Sequence, residues 1–175
     1  MKINLKNQKV PLKIKQSKYF DNRGYFQEIF LNKKFNLKIK FTAVAKSKKN
    51  VIRGLHFQKK NQQTKLIHVT EGKILDVVIN LKKNSKYFGK VSRFILNEGD
   101  ILFIPKFYAH GYECLTKKCT IFYHLEKYRD AMNESGISFK DKKIFNTWKT
   151  KKPILSKRDK TLITFKDFKK KHKSL

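Results

Sequence analysis

Cysteine, proline and acidic residues are scarce in this chain, and the shortages limit its class. Its 175 residues include two cysteines and three prolines. Two cysteines supply neither a disulfide framework nor the spacing of a zinc site, so we expect a reduced, cytoplasmic setting. No apolar run is long enough to cross a bilayer, and residues 1–10 lack the apolar segment and cleavage site of a signal peptide. The sequence argues against a membrane protein and against a disulfide-stapled secreted domain.

The shortage of acid leaves a strongly basic chain. Thirteen Asp and Glu stand against 43 Lys and Arg, which gives a formal net charge of +30. Such a charge suggests nucleic acid as a partner. However, only five of the basic residues are arginine, and the lysines are spread along the whole chain, whereas nucleic-acid sites favour arginine and concentrate their charge. We therefore expect solvated surface lysines and no nucleic-acid partner, with a lysine-rich nucleic-acid binder kept as an alternative.

Aromatic residues are plentiful, and 15 Phe and 7 Tyr supply a core for one domain over residues 1–175. Short β-branched and aromatic segments recur between turn-forming residues, a pattern typical of an antiparallel barrel or sandwich. Turns at Thr70–Lys73 and Asn97–Asp100 predict β-hairpins. Leu162, Phe165 and Phe168 recur at helical spacing and predict a short amphipathic helix. The candidate strands cover residues 18–20, 25–30, 41–46, 66–70, 74–81, 89–96, 101–104, 111–114 and 120–125.

Three segments place a cation or a titratable group among apolar residues and turn-formers, as reacting groups often are. Residues Arg53–Gln58 read RGLHFQ and contain His56. Lys65 opens the strand-like run KLIHV, and His110 lies in a turn between a proline and a glycine. Together they predict one polar pocket inside a β-structure, with cationic groups for an anionic ligand and a base for proton abstraction.

Each of these residues also has a structural interpretation. Lys65 can extend its ammonium group to solvent from a strand end, and a lone histidine in a strand is more often a hydrogen-bonded core residue than a base. His68 lies three residues after Lys65, so we expect its side chain on the opposite face of the strand, in a structural role. Because arginine is rare here, Arg53 is a good candidate for an anion clamp.

A metal site is a further alternative. The spacing from Gly99 through Pro105 to His110 is similar to the second motif of the cupins, whose histidine often binds a metal. The first cupin motif needs two histidines one residue apart, but the residue two positions after His56 is Gln58. Three good ligands cannot be assembled from the remaining residues. The sequence favours a metal-free pocket, with no cofactor, in an all-β, cupin-type antiparallel barrel (jelly roll).

A series of ordered blocks matches a known family. The blocks are FDNRGYFQE at 20–28, RGLHFQ at 53–58, the run from 65 to 90, IPKFYAHGY at 104–112, the Phe-Tyr pair at 122–123, GISF at 136–139 and ILSKRD at 154–159. On these blocks the chain resembles the dTDP-4-dehydrorhamnose 3,5-epimerases, which are metal-independent nucleotide-sugar epimerases of the cupin superfamily. The resemblance covers most of the chain and implies epimerisation of a nucleotide-diphospho-4-keto-6-deoxy sugar.

The resemblance also implies catalytic roles for particular residues. His56 would remove the proton beside the C4 ketone, and Asp159 would pair with it, although the residues alone favour a helix cap between Asp159 and Ser156. Lys65 would stabilise the enolate oxygen, as a fixed cation in a dry pocket does well. Tyr123 would return a proton on the opposite face of the sugar.

Substrate contacts and a homodimer are implied in the same way. Arg53 and His110 would contact the sugar and diphosphate. Arg23, Phe26 and Glu28 match a nucleotide-binding segment that reaches into the partner subunit in this family. The expected substrate-binding residues are Arg23, Phe26, Glu28, Arg53, His110 and Tyr128.

Two departures from the family pattern leave the substrate open. Members usually carry Gln and Asn, which help to hold thymidine, where this chain has Phe41 and Ala43. A GDP-linked sugar, including a 6-deoxy-heptose, is therefore a candidate beside a dTDP-linked one. The second tyrosine of a family pair is replaced by Arg129, so inversion at C3, at C5 or at both stays open. A nucleotide-sugar 3,4-ketoisomerase of the same fold is the alternative enzyme.

Overall fold

The computed structural model describes residues 3–171, and short β-strands make up most of its regular structure. The helices of this part are α1 (Asn32–Phe35) and α2 (Phe165–Lys171), with single 3₁₀ turns at Ala131–Asn133, Phe145–Thr147 and Asp159–Thr161. The strands are β1 (Leu12–Ile14), β2 (Tyr19–Asp21), β3 (Gly24–Phe26), β4 (Phe41–Lys48), β5 (Ile52–Gln58), β6 (Lys65–Glu71), β7 (Lys73–Asn80), β8 (Val91–Asn97), β9 (Ile101–Ile104), β10 (Tyr108–Cys114), β11 (Lys118–Leu125) and β12 (Glu134–Gly136).

Two antiparallel five-stranded sheets form the body of the molecule. The first has the order β1-β9-β6-β11-β4 and the second β12-β5-β10-β7-β8, while β2 and β3 form a separate hairpin. Val69 of the first sheet meets Val78 and Tyr112 of the second in one buried apolar cluster, so the sheets pack face to face. The prediction of an all-β, cupin-type jelly roll with a short C-terminal helix is confirmed.

The two turns predicted to close hairpins do not do so, and that prediction was wrong. β6 pairs with β9 and β11, whereas β7 pairs with β8 and β10. The turn at Thr70–Lys73 therefore passes the chain from one sheet to the other, and Asn97–Asp100 does the same between β8 and β9. Gly72 has the expected positive φ of 79°. A glycine turn sets the reversal of the chain, but the apolar faces of the strands decide which strands pair.

Three observed strands, β1, β5 and β12, were absent from the predicted set. β1 and β12 contain three residues each, and β5 is interrupted by Gly54, so none presents a long β-branched run. The predicted strands overlap the observed ones, with the largest difference at β3, which ends at Phe26 rather than Phe30. Patterns of hydrophobicity locate the long central strands more reliably than the short edge strands.

β5 and β10 approach so closely at one point that only glycine fits. Gly54 has φ of 98°, and a Cβ there would lie 2.5 Å from the carbonyl oxygen of His110. A Cβ at Gly111 would lie 2.6 Å from the carbonyl oxygen of Arg53. This crossing pairs the Cα positions of His56 and His110, and thereby sets two candidate site residues side by side.

α2 packs on the outer face of the second sheet through Phe165 and Phe168, which are buried as predicted. Leu162 lies before the helix begins. The carboxylate of Asp141 accepts a hydrogen bond from the amide of Phe165 at 2.7 Å and fixes the first turn. Neither helix in residues 3–171 is long and apolar enough to cross a membrane.

Replacing Gly54 by alanine should destabilise the fold more than the same change at Gly24. Both residues have positive φ, but a Cβ at Gly24 meets no atom within 4 Å, whereas one at Gly54 overlaps backbone of β10. We expect Gly54→Ala to cost at least about 1–2 kcal/mol more than Gly24→Ala in the free energy of unfolding. Urea denaturation of both variants measures the difference, and equal costs would contradict the close crossing.

Candidate active site

A pocket of about 750 Å³ opens between the two sheets, at the end where β4, β5 and β11 meet the segment 154–159. Apolar side chains of β4 form one wall, and titratable residues of β5, β6, β10 and β11 form the other. The predicted residues on its surface are Arg53, His56, Lys65, His110, Tyr123 and Asp159. The fold therefore gathers these six, which come from five separate stretches of sequence.

His56 and Asp159 form a hydrogen-bonded pair. Nε2 of His56 lies 2.6 Å from Oδ1 of Asp159, whose side chain is almost fully buried. Because a carboxylate only accepts, Nε2 carries the proton and Nδ1 is left as the basic nitrogen. Burial opposes ionisation of Asp159, but the bond from His56, with those from Ser156 and Gly54, holds its pKa below the ordinary value. The amide of Asp159 also donates to Ser156 Oγ at 3.0 Å, so capping and pairing coexist.

Lys65 reaches the same part of the pocket from β6. Its Nζ lies 3.5 Å from the carbonyl oxygen of His56. Burial lowers the pKa of Lys65 to about 8, while Glu134 and Asp76 act to raise it. The ammonium is thus a desolvated cation whose charge is sensitive to neighbouring carboxylates. His68 lies on the opposite face of β6 and is buried, as expected.

Tyr123 and His110 complete the inner wall. Their ring centroids are 6.1 Å apart at a steep angle. Burial raises the pKa of Tyr123 well above its usual value, so the phenol keeps its proton. His110 Nε2 lies 2.7 Å from Oδ2 of Asp76, and both side chains are buried. Burial lowers the pKa of His110 against the opposing effect of Asp76, and His110 lines the pocket.

Arg53 is held in place at the outer part of the pocket. Its Nε donates to Ser47 Oγ at 3.0 Å, and its Nη2 donates to the carbonyl oxygen of Lys46 at 3.0 Å. Ser47 Oγ in turn lies 2.8 Å from the hydroxyl of Tyr112. A guanidinium fixed by two bonds to β4 keeps its remaining N–H groups oriented, as an anion clamp requires.

Sequence reasoning missed a carboxylate that joins two arginines beside the pocket. Glu134 accepts from Arg129 Nη2 at 2.8 Å and from Arg158 Nη1 at 2.7 Å. Burial would raise its pKa, but the two arginines lower it below the ordinary value. Arg158 precedes Asp159, so this bridge also anchors the segment that carries the His56 partner. Acidic residues are rare in this chain, and this rarity was the sequence feature that could have marked Glu134 as a candidate.

Four of the predicted substrate-binding residues lie outside the pocket of their own chain. Arg23, Phe26 and Glu28 belong to the exposed β2–β3 hairpin and the residues after it, where Arg23 pairs with Asp21 at 2.6 Å. Tyr128 is 68% exposed and stacks on Phe41, with ring centroids 5.9 Å apart. Phe41 does line the pocket, as does Ala43. The expectation that Arg23, Phe26 and Glu28 reach into a partner subunit, and that Tyr128 contacts the substrate, stays a prediction.

No group of three or more His, Cys, Asp and Glu side chains within residues 3–171 is arranged to hold a metal ion. The two cysteines are free and buried. The expectation of a metal-free, cofactor-free site therefore stays a prediction.

The fold and the pocket define a jelly-roll enzyme with groups for acid–base chemistry, and comparison with known proteins assigns the family. Residues 9–167 match the dTDP-4-dehydrorhamnose 3,5-epimerase model. The Methanothermobacter thermautotrophicus enzyme of that name is 35% identical over 137 residues, 74% of each chain. The Escherichia coli K12 enzyme is 34% identical over 154 residues, 82% of this chain and 83% of its own. The chain belongs to this family of sugar-nucleotide epimerases, and so to the isomerases.

A solved structure agrees with the assignment. The Bacillus anthracis dTDP-4-dehydrorhamnose 3,5-epimerase, crystallised with TDP and PPi bound, superimposes with a TM-score of 0.84. The two sequences are 32% identical, and the alignment covers 89% of this chain and 94% of the solved one.

Replacing Glu134 by glutamine should make the Lys65 amine more reactive at mildly alkaline pH. Without this carboxylate two unneutralised guanidiniums remain nearby, so the pKa of Lys65 should fall further. We expect acylation of Lys65 at pH 8, followed by peptide mass spectrometry, to proceed roughly twofold faster or more. Glu71→Gln, which removes a half-buried acid paired with Lys118, is the control and should leave the Lys65 rate unchanged. An unchanged rate in Glu134→Gln would contradict the coupling.

Proposed function

We propose that this protein epimerises a nucleotide-diphospho-4-keto-6-deoxy sugar at C3, C5 or both, with His56 as the base. The observation that carries the proposal is the convergence of the His56–Asp159 pair and the Lys65 ammonium on one pocket. Hydrogens beside a ketone are weakly acidic, so their removal needs both a placed base and a group that stabilises the enolate oxygen.

In the first half of the reaction, Nδ1 of His56 takes the proton from the carbon beside the C4 ketone. The electron pair of the broken C–H bond moves into the ring, and the ketone oxygen becomes an enolate oxygen. Lys65 donates a hydrogen bond to that oxygen and neutralises its charge. Asp159, kept ionised by its bond with His56, stabilises the imidazolium that forms.

In the second half, a proton returns to the same carbon on the other face of the sugar, and Tyr123 supplies it. Its phenol is protonated at neutral pH, and burial raises its pKa further above the usual value, so it holds a proton that it can donate. After release of the product, the phenolate of Tyr123 takes a proton from solvent and the imidazolium of His56 gives one up, which restores both groups. Delivery from the opposite face inverts the centre, whereas return from His56 would restore the original configuration.

A separate part of the proposal concerns the nucleotide base of the substrate. Phe41 and Ala43 line the pocket without polar side-chain atoms, so they offer no hydrogen bond to distinguish thymine. A stacked Phe41–Tyr128 pair at the rim offers an aromatic face instead. These features favour a GDP-linked sugar, of hexose or heptose length, as the second candidate beside a dTDP-linked one.

We further propose a homodimer in which the β2–β3 hairpin serves the partner's pocket. Four aromatic residues of this hairpin are exposed by 43–74% in the single chain, an arrangement that suits a surface covered by another subunit. Arg23 and Phe26 lie on the same hairpin and outside their own pocket. The mass of the purified chain in solution, measured by light scattering, tests this part.

Incubation of the protein with dTDP- and GDP-linked 4-keto-6-deoxy sugars in deuterated water should give one added deuterium for each exchanged carbon. NMR locates those carbons and decides between C3, C5 and both. His56→Ala should reduce exchange by roughly 10²-fold or more while circular dichroism remains that of the parent. Asp167→Asn, on the outer helix α2, is the control and should exchange normally. Retained exchange in His56→Ala would remove it as the base, and a displaced carbonyl would identify a ketoisomerase.

Activity should fall as the pH rises through about 8, because the Lys65 ammonium loses its proton there. The relevant quantity is kcat/KM, which reports the free enzyme. Lys65→Arg stays charged and should move this alkaline fall to higher pH, whereas Lys65→Met should lower kcat by roughly 10²-fold or more. An alkaline fall that is identical in the parent and in Lys65→Arg would show that another group titrates.

A further inference from the structure

A second cavity, of about 700 Å³, lies apart from the candidate active site. Thr64 and Glu126 line it, whereas their neighbours Lys65 and Leu125 line the active-site pocket. Because consecutive residues of an extended strand face opposite sides, the two cavities lie on either side of the ends of β6 and β11. The N-terminal segment and the loops after β7 and β9 form its remaining walls.

The charge on this cavity is strongly positive. Within the described residues none of its five lysines forms an ion pair, and Glu126 is its one acidic lining residue. Lysine is so common in this chain that a cluster alone means little. The significance of this cluster depends on the concave shape of the cavity and on the other residues that line it. The five are Lys6, Lys9, Lys82, Lys86 and Lys106.

The floor of the cavity carries a buried, oriented hydroxyl. Tyr108 and Asn80 are 7% and 4% exposed, and Asn80 Nδ2 donates to the Tyr108 hydroxyl at 3.0 Å. Asn80 Oδ1 accepts from the amide of Lys82 at 2.8 Å. Since the Tyr108 oxygen acts as the acceptor, its own proton remains to be donated to a ligand.

The rim carries an aromatic residue in an unfavourable backbone conformation. Phe107 has φ of 68°, which is rare for a bulky residue. Its carbonyl oxygen accepts from the amide of Leu81 at 2.7 Å, which fixes it. Lys82 Nζ lies 5.9 Å from its ring centroid, and Lys86 Nζ lies 5.2 Å from that of Tyr87. Such strain persists where the surroundings impose it, and it concentrates at ligand sites.

We propose that this second cavity binds a nucleoside polyphosphate. The lysines would contact the phosphates, the Tyr108 hydroxyl would donate to the ligand, and the rings of Phe107 and Tyr87 would pack against the base. The volume lies within the range of roughly 300–1,000 Å³ typical of small-molecule sites, and an inorganic phosphate would fill little of it. The site is independent of the epimerase proposal.

Calorimetric titration of the full chain with ATP, at fixed ionic strength, tests the lysines. The double variant Lys82→Gln/Lys86→Gln should weaken ATP binding roughly tenfold. The control Lys166→Gln/Lys170→Gln removes the same charge from the exposed side of α2 and should bind as the parent does. Equal weakening in both would reveal non-specific attraction to a basic surface. Loss of ATP binding in Arg53→Gln would place the nucleotide in the active-site pocket, and either result would overturn the proposal.

Tripolyphosphate distinguishes a nucleotide site from a simple anion site. The parent should bind ATP more tightly than tripolyphosphate, and Phe107→Gly should remove that preference while leaving tripolyphosphate binding unchanged. Glycine accepts positive φ freely, so this variant should fold, and Phe107→Asn provides a second test because asparagine also tolerates this conformation. Equal affinity of the parent for both ligands, or an unchanged preference in both variants, would overturn the assignment of a nucleotide.

Discussion

The hydrogen bond between His56 and Asp159 is the contact on which the arrangement of the pocket depends. It joins β5 to a segment 103 residues further along the chain at 2.6 Å, and so encloses the pocket between the sheets and the C-terminal part. Its geometry requires the close crossing of β5 and β10, which only Gly54 and Gly111 allow. A backbone constraint on two glycines thus helps to determine where the imidazole of His56 lies, and its bond with Asp159 leaves Nδ1 as the basic nitrogen.

Electrostatic balance decides what that imidazole can do. Lys65 brings a desolvated positive charge to within 3.5 Å of the carbonyl oxygen of His56. Asp159 places a carboxylate against the His56 ring, and Glu134 neutralises Arg129 and Arg158 beside the pocket. With both carboxylates in place, a base and an oxyanion-stabilising cation can work in one pocket.

The fold class and six residues that line the pocket could be predicted from the sequence, because both rest on local signals. Long strands rich in β-branched residues can be recognised from their composition, and motifs such as RGLHFQ contain the candidate catalytic residues. Strand partners were not predictable in this way, and the turns at Thr70–Lys73 and Asn97–Asp100 join different sheets. Glu134 escaped notice because its importance lies in contacts with arginines that are near in space and not in any motif. Arg23 and Phe26 cannot be placed by the single chain, since their proposed site belongs to a second one.

The net charge of +30 does not show how the few acidic residues are distributed between the interior and the surface. Several of the 13 acidic residues are fully committed inside the molecule: Asp76 holds His110, Asp159 holds His56, and Glu113 accepts from two backbone amides at 2.7 and 2.8 Å. The surface is therefore left with little to offset its lysines. A strongly positive surface raises the rate at which anionic molecules arrive, and salt weakens the effect. Sugar nucleotides carry a diphosphate, so a dispersed lysine surface suits the capture of such a substrate.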